Sequence, residues 1–181
     1  LDTAFENLET AFGSTFSENG IETLAGFGSL VSCNFITLGG DDNLIAISGF
    51  NALEASQHVK IENAEALQTI DGFSNLTTVG ELTIEQPLTI VDGPISISAF
   101  TNVTTIATRV NIIGLANENI NFLSSLATVG NSVNVLDNEN LGDLCGLNTL
   151  VFNGGPAINF NVFRNLYNPT QKDILNGNCS L

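Results

Sequence analysis

Tryptophan and methionine are absent from the 181 residues, histidine and tyrosine occur once each, and lysine and arginine together number 4. Each shortage removes a class of function. With 19 acids against those cations the formal net charge is −15, a field that repels nucleic acid, acidic polysaccharide and anionic membrane surfaces. The acids are scattered and not blocked, so the plain reading of that charge is solubility in salty extracellular surroundings, with cation binding as the alternative. His58 has no second histidine and no nucleophile at a telling spacing, so a structural or solvent-facing role is expected of it. Lys60, Arg109, Arg164 and Lys172 are too sparse to stabilise an anion as the lyases built on parallel β-helices do. With Tyr167 alone and no tryptophan, the usual sugar-stacking platform is missing, and the Trp, Tyr and Arg of protein-recognition hot spots are scarce. No apolar run approaches the roughly 20 residues that cross a bilayer, so no membrane insertion is expected. No charged-then-apolar leader opens the sequence, and a chain already processed is the expectation.

Cysteine is scarce too: Cys33, Cys145 and Cys179, with no CxxC spacing to support a zinc or thioredoxin-type site. Cys33 lies inside an apolar repeat, where a free thiol behaves as a small hydrophobe. Cys145 and Cys179 flank the last segment and could be bridged if the tail folds back, which suits an oxidising compartment.

What the chain has is apolar mass, 43% of its residues and 12 of them phenylalanine, arranged with a period. Leu30, Leu53 and Leu76 fall 23 apart, and Val103, Leu126 and Leu150 follow after 27, 23 and 24. Gly26-Phe27, Gly49-Phe50 and Gly72-Phe73 precede the first three anchors, and Phe100 precedes the fourth. Alternating pairs come after each anchor: Ile36 and Leu38, Val59 and Ile61, Leu82 and Ile84, Val110 and Ile112, Val133 and Val135, with Ile158 and Phe160 closing the series. Period-two alternation places these pairs on the inner face of strands. One such unit cannot bury its own apolar face, but a stack of them builds a continuous core. Phe27, Phe50, Phe73 and Phe100 then form an aromatic column, read as core filling in preference to an apolar ligand site. Asn63, Asn117, Asn119, Asn138 and Asn140 recur near turns, where stacked amides would satisfy the coil.

Both ends of such a stack need caps. Leu1, Phe5, Leu8 and Phe12 recur at helical spacing with Asp2, Glu6 and Glu9 opposite, which predicts a helix over about 2–12. Pro169-Thr170, Asp173 and Gly177 mark a short closing helix with an N-cap and a glycine stop. Pro87 and the stretch 91–98 lengthen the fourth unit and are expected to bulge as a loop.

Units such as Leu67-Gln-Thr-Ile70-Asp-Gly72-Phe73-Ser-Asn-Leu76-Thr-Thr-Val79-Gly80-Glu-Leu82-Thr-Ile84 resemble the leucine-rich, receptor L-domain-like repeat. The stretch from Asp143 to Ser180 is similar to the end of such domains in secreted surface proteins of Bacteroidetes-type bacteria. The resemblance covers about Ile21 to Ser180 and lapses in units four and five, where the Gly-Phe pair is lost. It implies an extracellular solenoid used for recognition or adhesion. The expected fold is mainly β, a right-handed parallel β-solenoid of about six coils with helical caps. It is read as one domain over 1–181, with an N-terminal cap at 1–20, repeats at 21–163 and a C-terminal cap at 164–181.

In that register Thr37, Lys60, Thr83, Asn111 and Asn134 point outward and are the candidate binding residues. The expected partner is a protein or glycan at a cell surface, and no catalytic residue is expected. A passive spacer in a larger surface protein is the alternative, and a polysaccharide-active enzyme the third. Asp41 and Asp42, at the turn between units one and two, read either as turn formers or, with Glu62, Asn63 or Glu65, as calcium ligands, although no repeat carries the calcium β-roll signature.

Overall fold

After each anchor, β-branched and aromatic residues alternate with polar ones, which suits a strand with one wet face. The computed structural model describes residues 5–17, 20–40, 42–87 and 93–181. In chain order the strands among them are β1 (Thr10–Phe16), β2 (Thr23–Leu24), β3 (Ser32–Gly39), β4 (Ala46–Ile47), β5 (Ala55–Glu62), β6 (Thr69–Ile70), β7 (Thr78–Glu85), β8 (Ser96–Ile97), β9 (Thr105–Ile113), β10 (Thr128–Val129), β11 (Ser132–Leu136) and β12 (Asn159–Phe163). The long strands pair in the order β1-β3-β5-β7-β9-β11-β12, all parallel, and β10 joins beside β9 to complete an eight-stranded sheet. The two-residue strands β2-β4-β6-β8 form a second parallel sheet. The chain is therefore a β-solenoid of about six turns.

All six anchors, Leu30 to Leu150, are fully buried, and the inner pairs from Ile36/Leu38 to Val133/Val135 lie with them in one core. The rings of Phe27, Phe50, Phe73 and Phe100 stack at 4.9, 4.9 and 5.3 Å. Burying each such side chain contributes about 1.5–3 kcal/mol, which makes the column a main source of cohesion between coils. Its geometry is unusual at the backbone, because Phe50, Phe73 and Phe100 sit at φ of 65°, 58° and 63°, a region that bulky residues rarely enter. The Phe73 corner is held by its place in the stack, its amide donating to the Gly49 carbonyl one coil back at 3.2 Å.

Three expectations need correction or refinement. Residues 5–12 do not form a helix: Phe5–Asn7 make a turn and β1 begins at Thr10. The helical spacing was matched, but β3 would then have kept an open edge, and β1 satisfies its backbone groups in parallel register. Residues 1–4 lie outside the described part. In the last coil the inward pair is Phe160 and Val162, which face Val133 and Val135, while Ile158 is 69% exposed. The Gly154-Gly155 turn, both residues at positive φ, lengthens the connection and shifts the strand by two residues. The insertion in the fourth unit falls largely on 88–92, outside the described residues, and the chain resumes regular pairing in β8.

Unit four keeps the short strand β8, while in units five and six single 3₁₀ turns at Asn121–Leu123 and Cys145–Leu147 replace it. Two short helices follow, α1 (Asn148–Phe152) and α2 (Gln171–Leu175). Thr170 caps α2 through a reciprocal pair of bonds with Asp173, and Ile174 is fully buried. Cys145 and Cys179 are joined by a disulfide, whereas Cys33 is a buried free thiol.

Candidate functional site

Because the inward side chains of the large sheet fill the core, its outward ones are left as rows running across the strands. The central row, by register, is Thr15, Thr37, Lys60, Thr83, Asn111, Asn134 and Asn161. The five candidate binding residues are thus consecutive members of one row, extended by Thr15 and Asn161. Thr83 is only 7% exposed and its hydroxyl accepts from Asn111 Nδ2 at 2.9 Å. From there a head-to-tail ladder runs along the face: Asn134 Nδ2 donates to Asn111 Oδ1 at 2.7 Å, and Asn161 Nδ2 donates to Asn134 Oδ1 at 2.8 Å. Asn111 Nδ2 also donates to Glu81 Oε1 at 3.4 Å, so both of its N–H groups are used, whereas the ladder takes one of the two on Asn134 and on Asn161.

A second row holds Phe35, His58, Glu81, Arg109 and Ser132. The His58 ring stacks on Phe35 at 5.0 Å, and Phe12 leans on the other side of Phe35 at 5.4 Å with a 51° tilt. Phe12 is 78% and Phe35 36% exposed. This aromatic run escapes a reading that assigns phenylalanine to the core. The signal was available for Phe35, which lies two residues before outward Thr37, on the other side of inward Ile36. Phe12 could not be found, because it reaches this face only once residues 10–16 are a strand.

The third row passes from Glu62 and Glu85 to Ile113, Leu136 and Phe163. Both cations on the face are paired: Lys60 with Glu62 at 2.8 Å and Arg109 with Glu81 at 3.5 Å. At the rim Arg164 holds Asp137 with Nε and Nη2, the latter at 2.6 Å, and lies 4.9 Å from the centroid of the Phe163 ring. The hydrogen bond from Arg164, helped by its positive charge, keeps the Asp137 carboxyl below the ordinary carboxylate range against the opposing effect of burial. Glu62, Glu81 and Glu85 are the only acids on the long strands among the described residues.

Several turn amides perform the structural task expected of them. Asn138 is fully buried, donates to the carbonyls of Ile112 and Leu136, and accepts from the Leu115 amide at 2.8 Å. Asn117 bonds both backbone groups of Ile95, and Asn165 continues the series by donating to Val135 O at 2.9 Å. Asn140 donates to Ala116 O, and Asn119 accepts from the Asn121 amide. Asp42 is exposed in a turn, and Asp41 lies outside the described residues. Among the described residues no three His, Cys, Asp or Glu gather as a metal site, and no helix is long and apolar enough to cross a membrane. No family model matches the chain, and no curated protein or solved structure matches it.

Proposed function

We propose that this chain is an extracellular or cell-surface recognition module, a right-handed solenoid of the receptor L-domain-like kind, which binds a protein or glycan partner on the outer face of its large sheet. The observation that carries this reading is the exposed run Phe12–Phe35–His58 beside a continuous polar row. Apolar rings left in water on an otherwise acidic surface are a feature of contact sites, and the rigid sheet beneath fixes their positions. The Cys145–Cys179 disulfide suits an oxidising, extracellular compartment. No chemistry is assigned to the face: His58 is stacked on Phe35, and Glu62 and Glu81 are engaged by Lys60 and Arg109.

The test is retention of the fluorescently labelled chain on immobilised surface glycoproteins and a glycan array, for the wild type and for the double variant Phe12→Ser, Phe35→Ser. Both phenylalanines lie outside the core, so the variant should keep the wild-type circular dichroism while losing at least about tenfold in affinity, the worth of one aromatic anchor. Equal retention of the two proteins would move the contact surface elsewhere. No retention of either would favour a passive spacer.

A further inference from the structure

We infer that the ligand of this face is an uncharged, linear β-linked glycan lying across the strands, with the carboxamides of Asn134 and Asn161 each reading the hydroxyls of one sugar. The inference rests on the binding-face reading above and names its ligand class. Charge is the first argument. In a chain of net charge −15, Lys60 and Arg109 stand on this face and Arg164 at its rim, three of the four cations, each neutralised by a carboxylate. With Glu85 added to these pairs the face is close to neutral, and the other acids of the described residues lie off the long strands. An anionic polymer meets the field of those acids, and a cationic partner is drawn to them instead, so an uncharged polymer is the complementary occupant.

Periodicity is the second argument. The strands repeat at about 4.8 Å, close to the advance of one pyranose in an extended β-linked chain. The ladder bonds at 2.7 and 2.8 Å hold successive amides in the same orientation, one per strand. An extended β-1,4-linked chain turns successive sugars over, so like hydroxyls return at every second strand, and a carboxamide, being donor and acceptor, can meet either edge; a folded protein surface presents no such repeat. A carboxamide is both donor and acceptor and can serve two hydroxyl oxygens at once. The ladder also fixes the side chains before binding, so little rotamer entropy is lost. In the neighbouring row, four strands from Asn111, Phe12 leaves an open ring beside Phe35 that suits the C–H face of a sugar.

Native affinity electrophoresis in gels containing hydroxyethylcellulose, galactomannan or alginate tests this directly. At least one of the two neutral polymers should retard the wild type, and alginate should not. Asn134→Ala should weaken the retardation about fivefold, on the scale of one lost hydrogen bond. Asn161→Ala, on the outermost strand, should weaken it without interrupting the rest of the ladder, and Asn140→Ala, off the face, should leave it unchanged. Unfolding midpoints of each variant separate lost contacts from lost fold. Absence of retardation in both neutral gels, retardation indifferent to Asn134 and Asn161, or equal retardation by alginate overturns the inference. If the Phe12, Phe35 variant loses surface binding while neutral glycans leave the wild type unretarded, the binding face stands and the glycan falls.

Discussion

At position 72 a Cβ would lie 2.2 Å from the carbonyl oxygen of Gly49, the equivalent residue one coil back. Only a hydrogen fits between the two backbones, and the Phe73 corner depends on that approach. Gly72→Ala should therefore cost about 1–3 kcal/mol through forced separation of the coils, outweighing any loss of unfolded-state entropy. Urea unfolding should show a lower midpoint with an unchanged slope. The rim pair behaves differently, because its strength follows pH. The Asp137 carboxyl is depressed by the Arg164 hydrogen bond and charge. Its contribution is thus present above the unfolded value of about 3.9 and is lost as pH falls through the lower folded value. Arg164→Gln should raise the Asp137 pKa in an NMR titration and remove that part of the acid sensitivity.

Among the elements, the closing segment shows how a short helix is held when its own propensity is too weak to matter. Thr170 and Asp173 satisfy the first turn of α2, Ile174 enters the core, and Tyr167 donates to Asn178 O at 3.1 Å. The disulfide spans 34 positions in sequence, and its loss should lower stability by about 3–4 kcal/mol through the freed unfolded chain. A Cys145→Ser, Cys179→Ser double variant in scanning calorimetry measures it, and an unchanged melting temperature would show that the tail is held by packing alone. This helix was legible because its signal is local: a capping residue, its reciprocal partner three residues on, and a glycine stop. The N-terminal helix was misread for the opposite reason. The spacing of Phe5, Leu8 and Phe12 fits a helix, but the demand that turns the segment into β1 comes from the open edge of β3, about 20 residues away in sequence. Phe35 stayed hidden because one phenylalanine per coil does belong in the core.

Over the whole molecule, the inward pattern is written plainly in the sequence, since burial admits only apolar residues at fixed steps. The outward pattern is not, since many residue types are tolerated in water. The repeat does mark Thr37, Lys60, Thr83, Asn111 and Asn134 as equivalent outward places, but only the structure could show that the asparagines bond to one another. The distribution of cations has one more effect. Because three of the four gather at one side, the charge of the molecule has a direction as well as a size. Near a negatively charged wall or membrane the acidic flanks are pushed back harder than the sheet, and the molecule turns its sheet toward that surface. The torque acts within a Debye length, about 8 Å at physiological ionic strength, and fades as salt is added. Under the proposed function, encounters at such a surface then begin with the sheet forward, before any specific bond has formed.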